Sequence, residues 1–425
     1  MEEINLQKAS MSAKQSFFHY SWVILCIGTL VVFGSLGLAR FGFSVLLPEM
    51  QKGLQMDNIQ AGMMATCNLV GYLSLSVLGG ALAARFGPRV VITVGLLTVG
   101  ITLILTGIAE NFLTATLWRT LTGIGSGASN VPIIGLLAAW FTPRRRGLAA
   151  GVVVTGSSLG LIFSGPIVPL VISVYNPDGW RICWYLFGGL TILIAVAGGF
   201  LLRNRPSQMG LKPVGPHAGY SLDSPKARAL KWADVYKSPT LWHLGVVYMA
   251  FGFSYIIYMT LFVKYLIAEG GYTSQEAGNL FMTMGWCSML CGLIWGSLSD
   301  LIGRRMALVS VYCIHGVSFY IFAAWPVPAG FIFSAVWFGF SAWSIPAIMA
   351  ATCGDVFGPR MAPAALGFIT LLFGIAQAFG PGIAGAIADT AGSFSSAFIL
   401  ASVVAFTGAI AAWLIRSESI AAKKF

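Results

Sequence analysis

Arg40 stands deep inside an apolar run, in the stretch GLARFGFSVLLPEM (37–50), and no acidic residue shares the core of that run. A guanidinium can grip a carboxylate or a similar oxyanion through two parallel charged hydrogen bonds. Placing a charge inside hydrocarbon costs about 2.5–3.5 kcal/mol, so such a residue normally faces a cavity. Arg40 is therefore expected to bind an anionic group. The competing readings are an arginine reaching for headgroups, or one paired with Glu49. Arg119 lies in a second apolar run and is a further cation at membrane depth, with structural hydrogen bonding to neighbouring helices as the alternative. Lys264 is near the end of another, and its long stem lets it snorkel to the interface. All fourteen acidic residues fall in polar intervals, in tails or at the ends of runs, with Glu49 and Asp355 nearest to membrane depth. Cations without neighbouring acids predict a field that favours a small anionic solute.

Uncharged groups could complete such a pocket, which is usually apolar with a few placed polar groups. Asn68 and Tyr72 share a helix face through their i, i+4 spacing. Tyr255, Tyr258, Trp286, Trp343 and Gln377 are further candidates, each with plain helix packing as the alternative. His315 could titrate near neutral pH, or could be a packing histidine. Asp355, Glu49, His315 or the solute itself could carry a coupled proton. No clustered nucleophile, metal set or carboxylate pair is present, so an enzyme is not expected, nor any cofactor or metal. The seven cysteines are odd in number and lack zinc spacing, which predicts neither a disulfide framework nor a metal site.

These side chains must be positioned by membrane-spanning helices. The chain is 57% hydrophobic and 9% charged, against about 25% charged in soluble domains. Twelve apolar runs are long enough to span a bilayer: 21–49, 59–84, 89–109, 113–141, 147–175, 182–202, 240–267, 274–299, 305–325, 328–356, 363–388 and 393–415. Backbone groups find no water in hydrocarbon, so each run must be a helix; the alternating strands of a barrel are absent. The expectation is an all-α membrane protein embedded in a lipid bilayer. The net charge of +11 suggests nucleic-acid binding until its distribution is mapped. With both ends inside, twenty of the 25 basic residues fall on the cytoplasmic side and only Lys52 and Arg181 in outer loops, which is the positive-inside pattern. Residues 1–19 lack the apolar core of a signal peptide, so the first span is expected to be retained. Residues 203–239 form one long polar interval between an N-terminal body (1–202) and a C-terminal body (240–425). Within it, ALKWADVY (229–236) could lie on the membrane surface as a short amphipathic helix.

The chain is also one unit written twice. GALAARFGPR (80–89) and GSLSDLIGRR (296–305) align with a constant offset, which recurs at Phe141 and Phe357, Pro143 and Pro359, and Gly151 and Gly367. Duplicated six-helix halves suggest a carrier with its site between them. The paired loops resemble the motif between helices 2 and 3, and 8 and 9, of the major facilitator superfamily, G-x-L-[AS]-D-[RK]-x-G-[RK]. The first copy has Ala84 where the acid belongs; the second keeps Asp300. Arg119 with Gly123, Gly125 and Gly127 resembles a second superfamily element, and Gly156, Gly160 and Gly165-Pro166 resemble its Gly-Pro motif. WFTPRRRGLAAG (140–151) and GDVFGPRMAPAALGF (354–368) are similar to segments of the monocarboxylate-porter and oxalate–formate-exchanger branch. The resemblance implies twelve helices in two bundles that rock about a central site. It also implies gating by Gly80, Gly87, Arg89, Asp300, Arg304 and Arg305, with a latch that is firm at Asp300 and loose at Ala84. Gly and Pro in the fifth and eleventh spans allow close approach and bending, so these spans should line the interface. The expected function is transport of a small organic anion, most readily a monocarboxylate, by proton symport in a bacterial inner membrane, as a monomer. Anion exchange and export of an amphipathic compound are the alternatives.

Overall fold

The computed structural model describes residues 19–215 and 236–415. The segment proposed as a surface helix, 229–236, falls outside this range but for its last residue. The membrane-spanning passes are α1 (Ser21–Gly53), α2 (Asn58–Phe86), α3 (Pro88–Ile108), α4 (Phe112–Trp140), α5 (Pro143–Val174) and α6 (Gly179–Leu201) in the first half. The second half contributes α7 (Pro239–Ala268), α8 (Ser274–Ser288 continued by Cys291–Ile302), α9 (Arg304–Ala324), α10 (Pro328–Phe357), α11 (Ala365–Ala391) and α12 (Ser395–Trp413). Ten of these are single helices long and apolar enough to cross a bilayer among the described residues. Helix α2 is bent by 45° between Ser76 and Leu78. Helix α8 is interrupted at Met289–Leu290, so neither piece spans alone. Between α10 and α11 the backbone stays helical from Ser344 to Ala391, where the sequence suggested a break.

Helix starts follow ordinary capping chemistry. Asp57 and Gln60 form a reciprocal capping box at α2, and Thr273 and Glu276 form one at α8, each satisfying orphan backbone donors. The two motif loops are superimposable in backbone terms. Gly87 and Gly303 both have φ +86°, with ψ of 140° and 148°, and each ends one helix while opening the next. A side chain at that φ would be strained, so glycine is required at both sites.

In the first half α4 lies between α2 and α3, and α3 packs on α6; in the second half α7 packs on α11 and α12, and α9 on α12. The halves meet through α2 against α11, α5 against α8 and α1 against α7. The face holding the motif loops carries Arg85, Arg89, Arg145, Arg146, Arg304 and Arg305, and is called the basic face; the other is the far face. Contact between the halves is concentrated toward the far face. A methyl group on Gly278 would collide with the Gly165 carbonyl, and one on Gly385 with the Asn58 carbonyl. Toward the basic face the same helices stand apart. Gly80, Gly151, Gly296 and Gly367 have no described neighbour within 4 Å of a Cβ position. The molecule is thus closed at the far face and open at the basic face.

Candidate functional site

Helix α1 loses its α-helical phase midway. Phe33–Phe41 is π-helical, with i→i+5 bonding, and Arg40 sits in its last turn. π segments inside α-helices often mark functional sites. Gly34 and Gly37 let neighbouring helices come close here: a methyl on Gly37 would meet the Gly160 Cα of α5 at 2.8 Å. Arg40 is half-buried. Its guanidinium carbon lies 4.3 Å from the centre of the Tyr72 ring on α2, a cation–π distance. It also neighbours the Tyr255 hydroxyl on α7. Its Nε and Nη2 are buried with no hydrogen-bond partner, and no described carboxylate is within ion-pair reach of it. The Glu49 alternative fails because that carboxylate pairs with Lys52 at 2.7 Å.

The second half supplies the opposing wall. Gln377 on α11 donates a short hydrogen bond to the Tyr255 hydroxyl. Trp343 on α10 is edge-on to Tyr255 at 6.2 Å and tilted against Phe41 at 5.2 Å. Its Nε1 donates to Ser158 Oγ on α5 at 3.1 Å, and the Ser288 hydroxyl of α8 donates to the same oxygen at 2.8 Å. On the first-half side, Asn130 Nδ2 donates to the Tyr72 hydroxyl at 2.9 Å. Arg40, Tyr72, Tyr255, Trp343 and Gln377, five of the residues singled out from sequence, therefore lie together at mid-depth between the halves. Ser158, Asn130 and Phe41 were missed by that reading. Their only signal is position beside residues already chosen, in helices that are apolar all round.

Other candidates lie elsewhere. Arg119 is 1% exposed. Its Nη1 donates to the Ala39 carbonyl at 2.6 Å, and its guanidinium lies over Phe43 and Trp184 at 4.7 and 5.0 Å. Asn68 Nδ2 donates to the Arg119 carbonyl at 2.7 Å. Both residues thus brace the π segment from behind. Tyr258 points into the second bundle, bonded to Ser334 Oγ at 2.6 Å among Phe319, Phe322 and Phe338. Trp286 is 57% exposed, on the face of α8 opposite to Ser288. His315 is buried between Phe251, Phe319 and Phe338. None of Glu49, Asp355 and His315 is beside Arg40.

Lys264 does not snorkel. It is 7% exposed and donates short hydrogen bonds to Gln51 of α1 and to Asn58 Oδ1 of α2. Asn58 Nδ2 in turn donates to Asp389 Oδ1 of α11 at 2.5 Å, and the Ile59 backbone N–H donates to Asp389 Oδ2 at 2.9 Å. This chain of polar contacts ties the two halves at the far face. Partners in protein replaced the headgroup water because α7 is covered by α1 and α2 at that level.

At the basic face, Arg304 holds Asp300 at 2.5 Å and Asp355 at 3.0 Å, and bonds Ser299 Oγ at 2.5 Å. This network joins α8, α9 and α10 within one bundle. The duplicated positions in the first half are Ala84, Pro88, Ala139 and Ala83, so the whole set, and not the acid alone, is missing there. In its place Asn204 Oδ1 accepts from the Arg89 backbone N–H at 2.9 Å, and Arg89 Nε donates to the Gly199 carbonyl at 2.6 Å. Arg305 lies over the Trp413 ring at 5.1 Å. Residues 203–215 fold back on the same face, where Val214 exchanges backbone bonds with Trp140 and Thr142.

Comparison with known proteins agrees with this architecture. Residues 32–413 match the family model described as "Uncharacterised MFS-type transporter YbfB". The hexuronate transporter of Bacillus subtilis is 24% identical over 386 residues, covering 88% of this chain and 90% of that protein. The oxalate:formate antiporter of Oxalobacter formigenes is 25% identical over 335 residues, covering 77% and 75%. A bacterial homologue of the human lysosomal transporter Spinster, in an inward-facing and unoccupied crystal structure, aligns with a TM-score of 0.75 at 16% identity, over 96% of this chain and 98% of that one.

Proposed function

We propose that this chain, which belongs to the major facilitator family of membrane transporters, carries a small organic anion, of the monocarboxylate class, through a site centred on Arg40. One observation carries the reading: a half-buried guanidinium at the meeting plane of the halves keeps two buried donor nitrogens without partners and has no described carboxylate beside it. An unpaired buried charge is costly, and an oxyanion bound bidentately would relieve that cost. That relatives carry names specifying hexuronate and oxalate:formate supports the same charge type. Residues 1–202 and 240–425 act as the two rocking bodies, with 203–239 as the cytoplasmic tether. The basic face is the cytoplasmic one by the positive-inside rule, so the conformation described is open inward.

The coupling mode is a second matter. Proton symport would need a group that titrates with the solute, and the candidates Asp355, Glu49 and His315 lie away from Arg40. A fixed positive charge with no acid to neutralise it is costly to carry through the occluded state empty. That favours anion exchange over the symport expected from sequence, with symport surviving if the solute carries its own proton.

Purified protein in liposomes tests both points. Arg40→Gln is expected to lower uptake of a monocarboxylate by more than tenfold, and Arg40→Lys to restore a part, because a lysine keeps charge but not the fork. Normal uptake by both variants would refute the anion site. Stimulation of uptake by internal anion, with no response to an imposed pH step, identifies exchange; the converse identifies symport.

A further inference from the structure

The surroundings of Arg40 differ from those a richly hydroxylated solute requires. Two rings, those of Tyr72 and Tyr255, neighbour the guanidinium, and those of Trp343 and Phe41 continue the wall from Tyr255. The polar groups among them already serve each other. Gln377 holds the Tyr255 hydroxyl, Asn130 holds the Tyr72 hydroxyl, and Ser158 accepts from both Ser288 and the Trp343 indole. A sugar acid would bring several hydroxyls into a space walled mostly by ring carbon, where the few polar groups are partly engaged with one another, so much of its hydration would be lost without replacement. A flat apolar body would instead stack on or abut the rings, whose preferred geometries are offset and edge-on. Half-burial of Tyr72 and Trp343, against near-complete burial of Tyr255 and Phe41, leaves the first two as the faces open to a guest.

We infer that the preferred occupant is a monoanion with an aromatic body, an arenecarboxylate or arenesulfonate, whose charged group sits on Arg40 and whose ring lies against Trp343 and Tyr72. The inference rests on the anion reading above and sharpens it: Arg40 sets charge and Trp343 sets shape. Phe373 continues the apolar wall beyond Tyr255, at 6.1 Å and nearly parallel to it.

The test is calorimetric titration of the purified full chain with benzoate, acetate, glucuronate and benzamide. Benzoate is expected to bind about tenfold or more tightly than acetate, from one added ring contact set, and more tightly than glucuronate. Trp343→Ala should weaken benzoate by about tenfold and leave acetate within about twofold, and Trp343→Phe should recover most of the loss. Acetate or glucuronate matching benzoate in the unaltered protein overturns the inference, as does no benzoate binding, without recourse to any variant. A Trp343→Ala effect equal for acetate and benzoate overturns it too, since that is the mark of a structural role. Benzamide binding as tightly as benzoate, with Arg40→Gln unchanged, would instead refute the anion reading itself.

Discussion

Arg40 and Arg119 are near enough for their charges to repel, yet they occupy opposite situations. Arg119 donates through Nη1 to the Ala39 carbonyl from a fully packed position, with its Nε unpartnered, whereas Arg40 keeps both Nε and Nη2 buried without partners. Their neutral variants should therefore differ in the sign of their effect on thermal unfolding of the detergent-solubilised protein. Arg119→Gln removes a charged hydrogen bond, a loss of about 1.5–3 kcal/mol, and should lower the apparent Tm by several degrees. Arg40→Gln removes a buried unpaired charge and should leave the Tm unchanged or raised. Equal losses would show that Arg40 is as structural as its neighbour. The charges were legible in the sequence because membrane depth makes any ionic residue stand out. Which way each one points was not. Nor was the difference between Tyr255, which reaches the centre, and Tyr258, which turns into the second bundle. Lipid and protein interior are equally apolar, so a spanning helix lacks the polar stripe that orients a helix in a soluble protein.

Among the elements, the far-face clamp is the feature that sequence reasoning missed. Lys264, Asn58 and Asp389 lie on α7, α2 and α11, far apart in sequence, and each looks like an ordinary residue at a helix end. Asn58 is the central member, accepting from the lysine and donating to the carboxylate. Its replacement by alanine breaks both links while leaving the two charges in place. Asn58→Ala should raise the population open at the far face, read as a longer distance between spin labels at Gln55 and Thr390. An unchanged distance distribution would mean that the interlocked backbones at Gly165 and Gly278 suffice to hold that face shut. The π segment was equally hidden. Its glycines permit the wider turn, but glycine-rich stretches are common in ordinary spanning helices. The duplication, by contrast, was readable from the pairing of Gly87 with Gly303, and the shared φ of +86° explains why each copy keeps glycine there.

For the whole molecule, closure at one face and separation at the other make a simple accessibility forecast. In a cysteine-free background, a cysteine at Gly151 or Gly367 should react with a membrane-impermeant maleimide presented at the basic face and not at the far face. A bound anion should slow that reaction as the halves approach. Equal labelling from both faces would contradict the conformation described. The topology and the two-body plan were legible from hydropathy and repeat spacing alone; the conformational state was not, because the same interfaces must form and part in every cycle. In the orientation proposed above, with the basic face inward, the carrier in this conformation samples the interior pool and not the medium. Solute that has already accumulated would then occupy the site first and, by neutralising Arg40, speed the return of the carrier while leaving with it. Under the exchange proposed above, each uptake is matched by an exit, so net accumulation is limited with no dedicated regulatory pocket.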